Sequence, residues 1–138
     1  MIKLASTLET DIPQIIEWMA ADEYLQNGGD PAWWLTGTSC LLAFCGQDDE
    51  GPIFYVKLVD EGGFARMYTV FGPESEVSMR RIAKGILTIV PNLGEAMKEL
   101  GCKGIMFETK SESLVNFMKQ FGFETVGEFQ KWEFGRIA

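Results

Sequence analysis

The chain has 138 residues, a formal net charge of −8, 46% hydrophobic residues and no histidine. That length and apolar content exclude disorder and fit a single domain over residues 1–138 with one core. The missing histidine excludes Ser-His-Asp and Cys-His catalysis and any histidine-based metal site, and no metal is expected.

The charge is unevenly spread. Up to Glu61 there are 11 acidic and 2 basic residues; from Gly62 onward there are 9 acidic and 10 basic. Such a chain suits neither a phosphate backbone nor a nucleic-acid partner. Arg80, Arg81 and Lys84 form the one tight basic cluster, compatible with a small anionic ligand. No apolar run approaches the roughly 20 residues that span a bilayer. The N-terminus lacks a basic segment followed by an apolar stretch, so a cytoplasmic protein with no membrane partner is expected. Cys40, Cys45 and Cys102 have no metal-like spacing and read as reduced thiols.

Along the chain, Met1 to Ser6 reads as a first strand. Thr10 or Asp11 then caps a helix with Pro13 in its first turn and Gln14 in the capping-box position. Ile12, Ile15, Ile16 and Met19 share one face of it. Asn27-Gly28-Gly29-Asp30-Pro31 is a loop by composition. Leu41 to Cys45, Ile53 to Val59 and Phe64 to Phe71 are three strands of an antiparallel meander, with turns at Gln47–Pro52 and Glu61–Gly63.

A long helix is predicted from about Glu76 to Leu100, its apolar positions at helical spacing, with Pro91 expected to kink or split it. Lys103 to Thr109 is a strand and Ser111 to Gln120 a helix stopped at Gly122. Phe123 to Phe134 returns as a strand. The order predicts a mixed α+β domain.

At Phe71-Gly72-Pro73, Glu99-Leu100-Gly101 and Phe117 followed by Gly122-Phe123, the chain resembles the GNAT (GCN5-related N-acetyltransferase) family, as a divergent member. The resemblance implies a GNAT-like, mainly antiparallel twisted sheet flanked by helices. It implies acetyl-CoA as cosubstrate, a small amine or protein amine as acceptor, and a homodimer. In this family a turn opening the central helix binds the pyrophosphate, with the pattern Arg/Gln-x-x-Gly-x-Gly/Ala. Here Arg80-Arg81-Ile82-Ala83-Lys84-Gly85 fits it with alanine at the first glycine. Free amides and a positive helix end would hold the anion. The same residues also read as a solvated basic face. Backbone groups of Thr69, Val70 and Phe71 would pair with the pantetheine arm.

Two usual catalytic positions are empty. The family's late-helix tyrosine corresponds to Met118, and the start of the fourth strand, Phe64 to Met67, holds no carboxylate. Tyr68 and Glu108 are the substitutes, placed where the fourth and fifth strands should splay; they also read as a β-former and a solvent-facing strand residue. Cys102 is a further, poorer candidate, as an acyl nucleophile, because Lys103 is its one evident cationic neighbour. Trp33 and Trp34 read either as an acceptor-binding platform or as core plugs, with Asp22, Glu23 and Asp30 nearby to attract a cation. Two functions follow. One is acyl-CoA-dependent N-acetylation of an amine by direct attack in a ternary complex. The other is a degenerate, non-catalytic GNAT-like binding or assembly module, for example a phage or regulatory component.

Overall fold

The computed structural model describes residues 1–22, 29–35 and 40–135. The strands are β1 Lys3–Ser6, β2 Cys40–Asp48, β3 Gly51–Glu61, β4 Phe64–Phe71, β5 Gly104–Glu108, β6 Glu124–Val126 and β7 Phe129–Glu133. The helices are α1 Ile12–Ala21, α2 Met79–Glu99 and α3 Glu112–Met118. The strands form one seven-stranded sheet in the order β1-β2-β3-β4-β5-β7-β6. All neighbours are antiparallel except β4 and β5. The mixed fold and the meander are therefore as the sequence suggests.

Alternation along β3 explains the layering. Phe54, Val56 and Leu58 are buried together with Ile86, Ile89, Val90 and Leu93 of α2. Tyr55 and Lys57 point to the other face, where Tyr55 meets Trp18 of α1 at 5.5 Å between rings. Gly85 and Gly94 of α2 are packing glycines: an added Cβ would fall 3.0 Å from the Phe54 ring and 2.4 Å from the Trp132 ring, respectively. Close helix-to-sheet approach is what small residues permit.

Several details differ from expectation. Helix α2 begins slightly later than about Glu76: Ser78 caps it, its hydroxyl accepting from the Arg81 amide at 3.2 Å. Residues 73 to 77 instead form a turn in which the Val77 amide donates to the Pro73 carbonyl at 2.8 Å. Helix α2 runs unbroken through Pro91. Pro91 lies on the exposed face, where the carbonyl one turn back can meet water, and Asn92 donates its side-chain amide to the Thr88 carbonyl at 2.9 Å. The Leu8 amide, rather than one paired with Gln14, donates to Asp11 at 2.8 Å. The closing strand is a hairpin, β6 and β7, because Gly127 takes φ +64° and turns the chain. Asn27 and Gly28 of the expected loop lie outside the described residues.

Arg81 joins the layers. Its guanidinium donates to Asp48 at 2.9 and 2.7 Å and to the Gly51 carbonyl at 3.1 Å, tying α2 to the β2–β3 turn. The Arg81 hydrogen bond holds the Asp48 carboxyl down at about 2. A depressed carboxyl contributes stability that is complete above the unfolded value, about 4, and is lost as pH falls toward 2. Asp48→Asn is therefore expected to cost about 1–2 kcal/mol at pH 7, allowing for partial solvent screening, and almost nothing near pH 2. Urea melts at the two pH values check this; an equal loss at both would remove the ion pair as the cause.

Candidate functional site

The parallel pairing of β4 with β5 is short. Phe64, Ala65 and Arg66 pair with Gly104, Ile105 and Met106, and the register ends there. Strand β4 continues to Phe71 with β3 as its partner on one edge. From Met67 onward its other edge has no β5 partner. The sheet thus opens into a wedge, and a cleft of about 1000 Å³ passes through it.

Because the wedge interrupts the sheet, the cleft has walls from both layers. On the α2 side lie Met67, Thr69, Phe71, Ile82, Ala83 and Leu114; on the α1 side lie Met19, Trp33, Trp34, Tyr68 and Glu108. Tyr68, Thr69, Phe71, Ile82, Ala83, Glu108, Trp33 and Trp34 are thus gathered in one place, as are Asp22 and Asp30. Glu23 lies outside the described residues.

Other expected site residues fall elsewhere. Arg81 is committed to Asp48, and Arg80 and Lys84 are exposed without lining the cleft. Gly85 is buried under Phe54 in the second turn of the helix, and Val70 is fully buried. The anion-binding feature that remains at this end is the helix terminus itself. Its first-turn amides of Met79 and Arg80 have no intrahelical acceptor. Met79 lines the cleft, and so does Glu74, which gives this end an acidic side chain.

The two tryptophans have opposite fates. Residues Pro31–Trp34 form one short 3₁₀ turn, capped by Asp30, whose side chain accepts from the Ala32 amide at 2.9 Å. Such a turn rotates successive side chains by about 120°. Trp34 is 4% exposed and belongs to the core, whereas Trp33 is 40% exposed. Trp33 meets Tyr68 edge-on at 4.9 Å. Behind it, Lys57 is 4% exposed and lies 4.1 Å from the Trp33 ring centre. The Lys57 ammonium also donates to the Trp33 carbonyl. A desolvated cation on a ring face is a strong contact of its type. Lys57 therefore fixes Trp33 and, through it, the Tyr68 ring. Sequence reasoning missed Lys57, since a lone lysine in an apolar strand carries its signal only as a polar interruption of alternation.

Arg66 completes this wall, with its guanidinium 5.0 Å from the Tyr68 ring and in an ion pair with Glu61 at 3.3 Å. Neither the Tyr68 hydroxyl nor the Glu108 carboxylate has a hydrogen-bond partner among the described residues, so both are available to a ligand. The thiols of Cys45 and Cys102 are not poised for chemistry. Burial, aided by Asp11, pushes the Cys45 thiol up to about 12, and burial with Asp60 nearby raises Cys102 as well. A raised thiol is a poor nucleophile, and Cys102 does not line the cleft. Tyr55, raised by burial and then by Cys45, keeps its proton and bridges Asp11 and Gln14 at 3.2 and 2.7 Å, a structural link from β3 to α1. Among the described residues, no cluster of three or more metal-ligating side chains occurs, and no helix is long and apolar enough to cross a membrane.

No family model and no curated protein sequence matches the chain. Solved structures do match over its whole length. The ribosomal-protein-S18-alanine N-acetyltransferase of Escherichia coli superposes with a TM-score of 0.73 at 11% identity, covering 100% of this chain and 97% of that one. An aminoglycoside acetyltransferase, in complex with coenzyme A and kanamycin, gives 0.69 at 12% identity over 97% and 95% of the two chains. A GNAT family acetyltransferase from Brucella melitensis, in complex with acetyl-CoA, gives 0.59 at 12% identity over 100% and 91%. With its meander, its parallel β4–β5 pair and its wedge-shaped opening, this chain has the fold of the GNAT acetyltransferases.

Proposed function

We propose that the protein is an acyl-CoA-dependent N-acyltransferase acting on an amine. The observation that carries this reading is the wedge: pairing that stops at Arg66 and Met106 leaves a free β4 edge inside a cleft open to both layers. An extended pantetheine arm can add to such an edge as a strand would, through the backbone of Thr69 to Phe71. Its pyrophosphate would rest at the first turn of α2, on backbone amides rather than on side-chain cations. The amine would enter from the opposite layer, between Trp33 and Glu108. Aromatic and acidic groups together suit a cation. The solved structures of this fold that hold coenzyme A or acetyl-CoA support the reading.

The chemistry then needs two protons removed from the nitrogen and one supplied to the sulfur. Glu108 takes a proton from the ammonium, and the freed nitrogen attacks the thioester carbonyl. The C–N bond forms, the C–S bond breaks, and the electron pair leaves on sulfur, which takes its proton from Tyr68; the second proton of the nitrogen passes to the tyrosinate, so Tyr68 is restored and one proton in all is released through Glu108. Amides on the free β4 edge face the developing oxyanion, and close placement of the two reactants lowers the remaining barrier. Met118 has no part in proton transfer, since it is 2% exposed and its thioether carries no proton.

A non-catalytic binding module is the competing reading. The acidic Glu74 at the helix end and the removal of Arg81 from the cleft favour it. Thiol release from acetyl-CoA, followed colorimetrically against a panel of polyamines, amino sugars and peptides with free N-termini, separates the two. Amine-dependent release supports the transferase; none across the panel, with no binding of coenzyme A, supports the module.

A further inference from the structure

The wall of the cleft on the α2 side is shared with a second apolar space. Behind it lies a second void of about 30 Å³, bounded by Val56 of β3, Val90 and Leu93 of α2, and Met118 of α3. It shares Met67, Thr69, Phe71, Ile86, Phe107 and Leu114 with the cleft, so the two spaces have a common wall at the wedge. Among the residues that bound the void, Thr69 is the one with a polar side chain.

Protein interiors are packed to the density of organic crystals, and an unfilled apolar void lowers stability. An apolar recess lined this way gives water few polar partners and favours hydrocarbon. Its place is also specific. It begins where β4 and β5 part, which is where the reading above puts the thioester carbonyl. The acyl tail is the hydrocarbon part of the cosubstrate that starts at that carbonyl. The position at which the resemblance would put a tyrosine is Met118, a flexible side chain that can yield to a chain of varying length.

Resting on the acyl-CoA reading, we propose that this void is an acyl-chain subsite and that the protein prefers a thioester longer than acetyl. A space of roughly 10–15 Å³ admits one water-sized group. The void therefore admits about two further carbons, which makes propionyl and butyryl thioesters its ligands. Each buried methylene is expected to raise affinity about fourfold until the void is full. Beyond that, overpacking reverses the gain.

The test is calorimetric titration of the full chain with free coenzyme A and with acetyl-, propionyl-, butyryl-, hexanoyl- and octanoyl-CoA. Affinity is expected to climb about fourfold per carbon from acetyl to butyryl, then to fall. Val90→Leu, which adds one methylene inside the void, is expected to move the optimum about one carbon shorter. Val90→Ala is expected to move it longer. Thermal melts confirm that each variant is folded, and the alanine variant suffices if the leucine variant is not. Equal affinities from acetyl to butyryl, or a series that neither Val90 variant moves, would overturn the subsite while leaving the acyl-CoA reading in place. No binding of any thioester or of coenzyme A would overturn both.

Discussion

Tyr68→Phe is expected to lower kcat for acyl transfer by about 100-fold with little change in acyl-CoA affinity. The ring is held by its surroundings rather than by its hydroxyl. Trp33 meets it at 4.9 Å and the Arg66 guanidinium lies 5.0 Å from it, and phenylalanine keeps both contacts. What is lost is the proton donor for the departing thiolate. A general acid contributes of order 10²–10⁴ in rate, and the lower end suits a leaving group that is already a weak base. Steady-state kinetics with acetyl-CoA as the varied substrate checks this. An unchanged kcat would assign Tyr68 to the wall alone; a raised KM at constant kcat would assign it to binding.

Gly104→Ala is expected to lower stability by about 3 kcal/mol or more, at the upper end for overpacking. An added Cβ would lie 2.1 Å from the Trp132 carbonyl oxygen and 3.0 Å from the Phe64 ring. The first obstacle is backbone, so no rotamer change relieves it. Strand β5 would have to move away from β7 or from β4. Gly104 is also the first residue of the parallel pair, opposite Phe64, so the change strikes the short pairing that holds β4 and β5 together below the wedge. Against a total stability of about 5–15 kcal/mol, the melting temperature should drop by roughly 10 °C or more. Gly127→Ala is the control. It has φ +64° and open space around it, so it should cost about 1 kcal/mol from backbone conformation alone. Equal melting temperatures for the two variants would contradict the steric account.

Much of this fold can be read from local pattern. Of the apolar positions read at helical spacing for α2, Ile82, Ile86, Val90, Leu93 and Met97 are buried as a stripe that Ile89 joins, whereas Met79, Leu87 and Leu100 are exposed. Gly122 reads as a helix stop and takes φ +111°, which L side chains rarely adopt. The β6–β7 hairpin was less legible, because its turn at Gly127-Glu128 carries a single glycine inside a run rich in β-forming residues.

The site is harder to read, since its geometry depends on partners distant in sequence. Arg81 looks like an anion ligand beside Arg80 and Lys84, but Asp48, 33 positions earlier, captures it across the sheet. Gly85 looks like a phosphate-loop glycine, but the Phe54 ring explains it. Trp33 and Trp34 are indistinguishable as letters, and although both line the cleft, a single 3₁₀ turn leaves Trp33 exposed and buries Trp34. Tyr68 and Glu108 are nevertheless found on the same cleft, because both follow from where two strands cease to pair.

The most direct test is titration of the protein with coenzyme A, beside an Ala83→Trp variant. Ala83 is a small, half-buried residue of α2 on the cofactor side of the cleft. An indole there fills the space assigned to the pantetheine arm and leaves the helix terminus and Tyr68 in place. Saturable one-to-one binding to the parent chain, weakened at least about 100-fold in a variant that melts as a folded protein, is the expected result. Coenzyme A binding that is absent from the parent, or equal in the two proteins, would contradict the assignment of this wedge as the cofactor site.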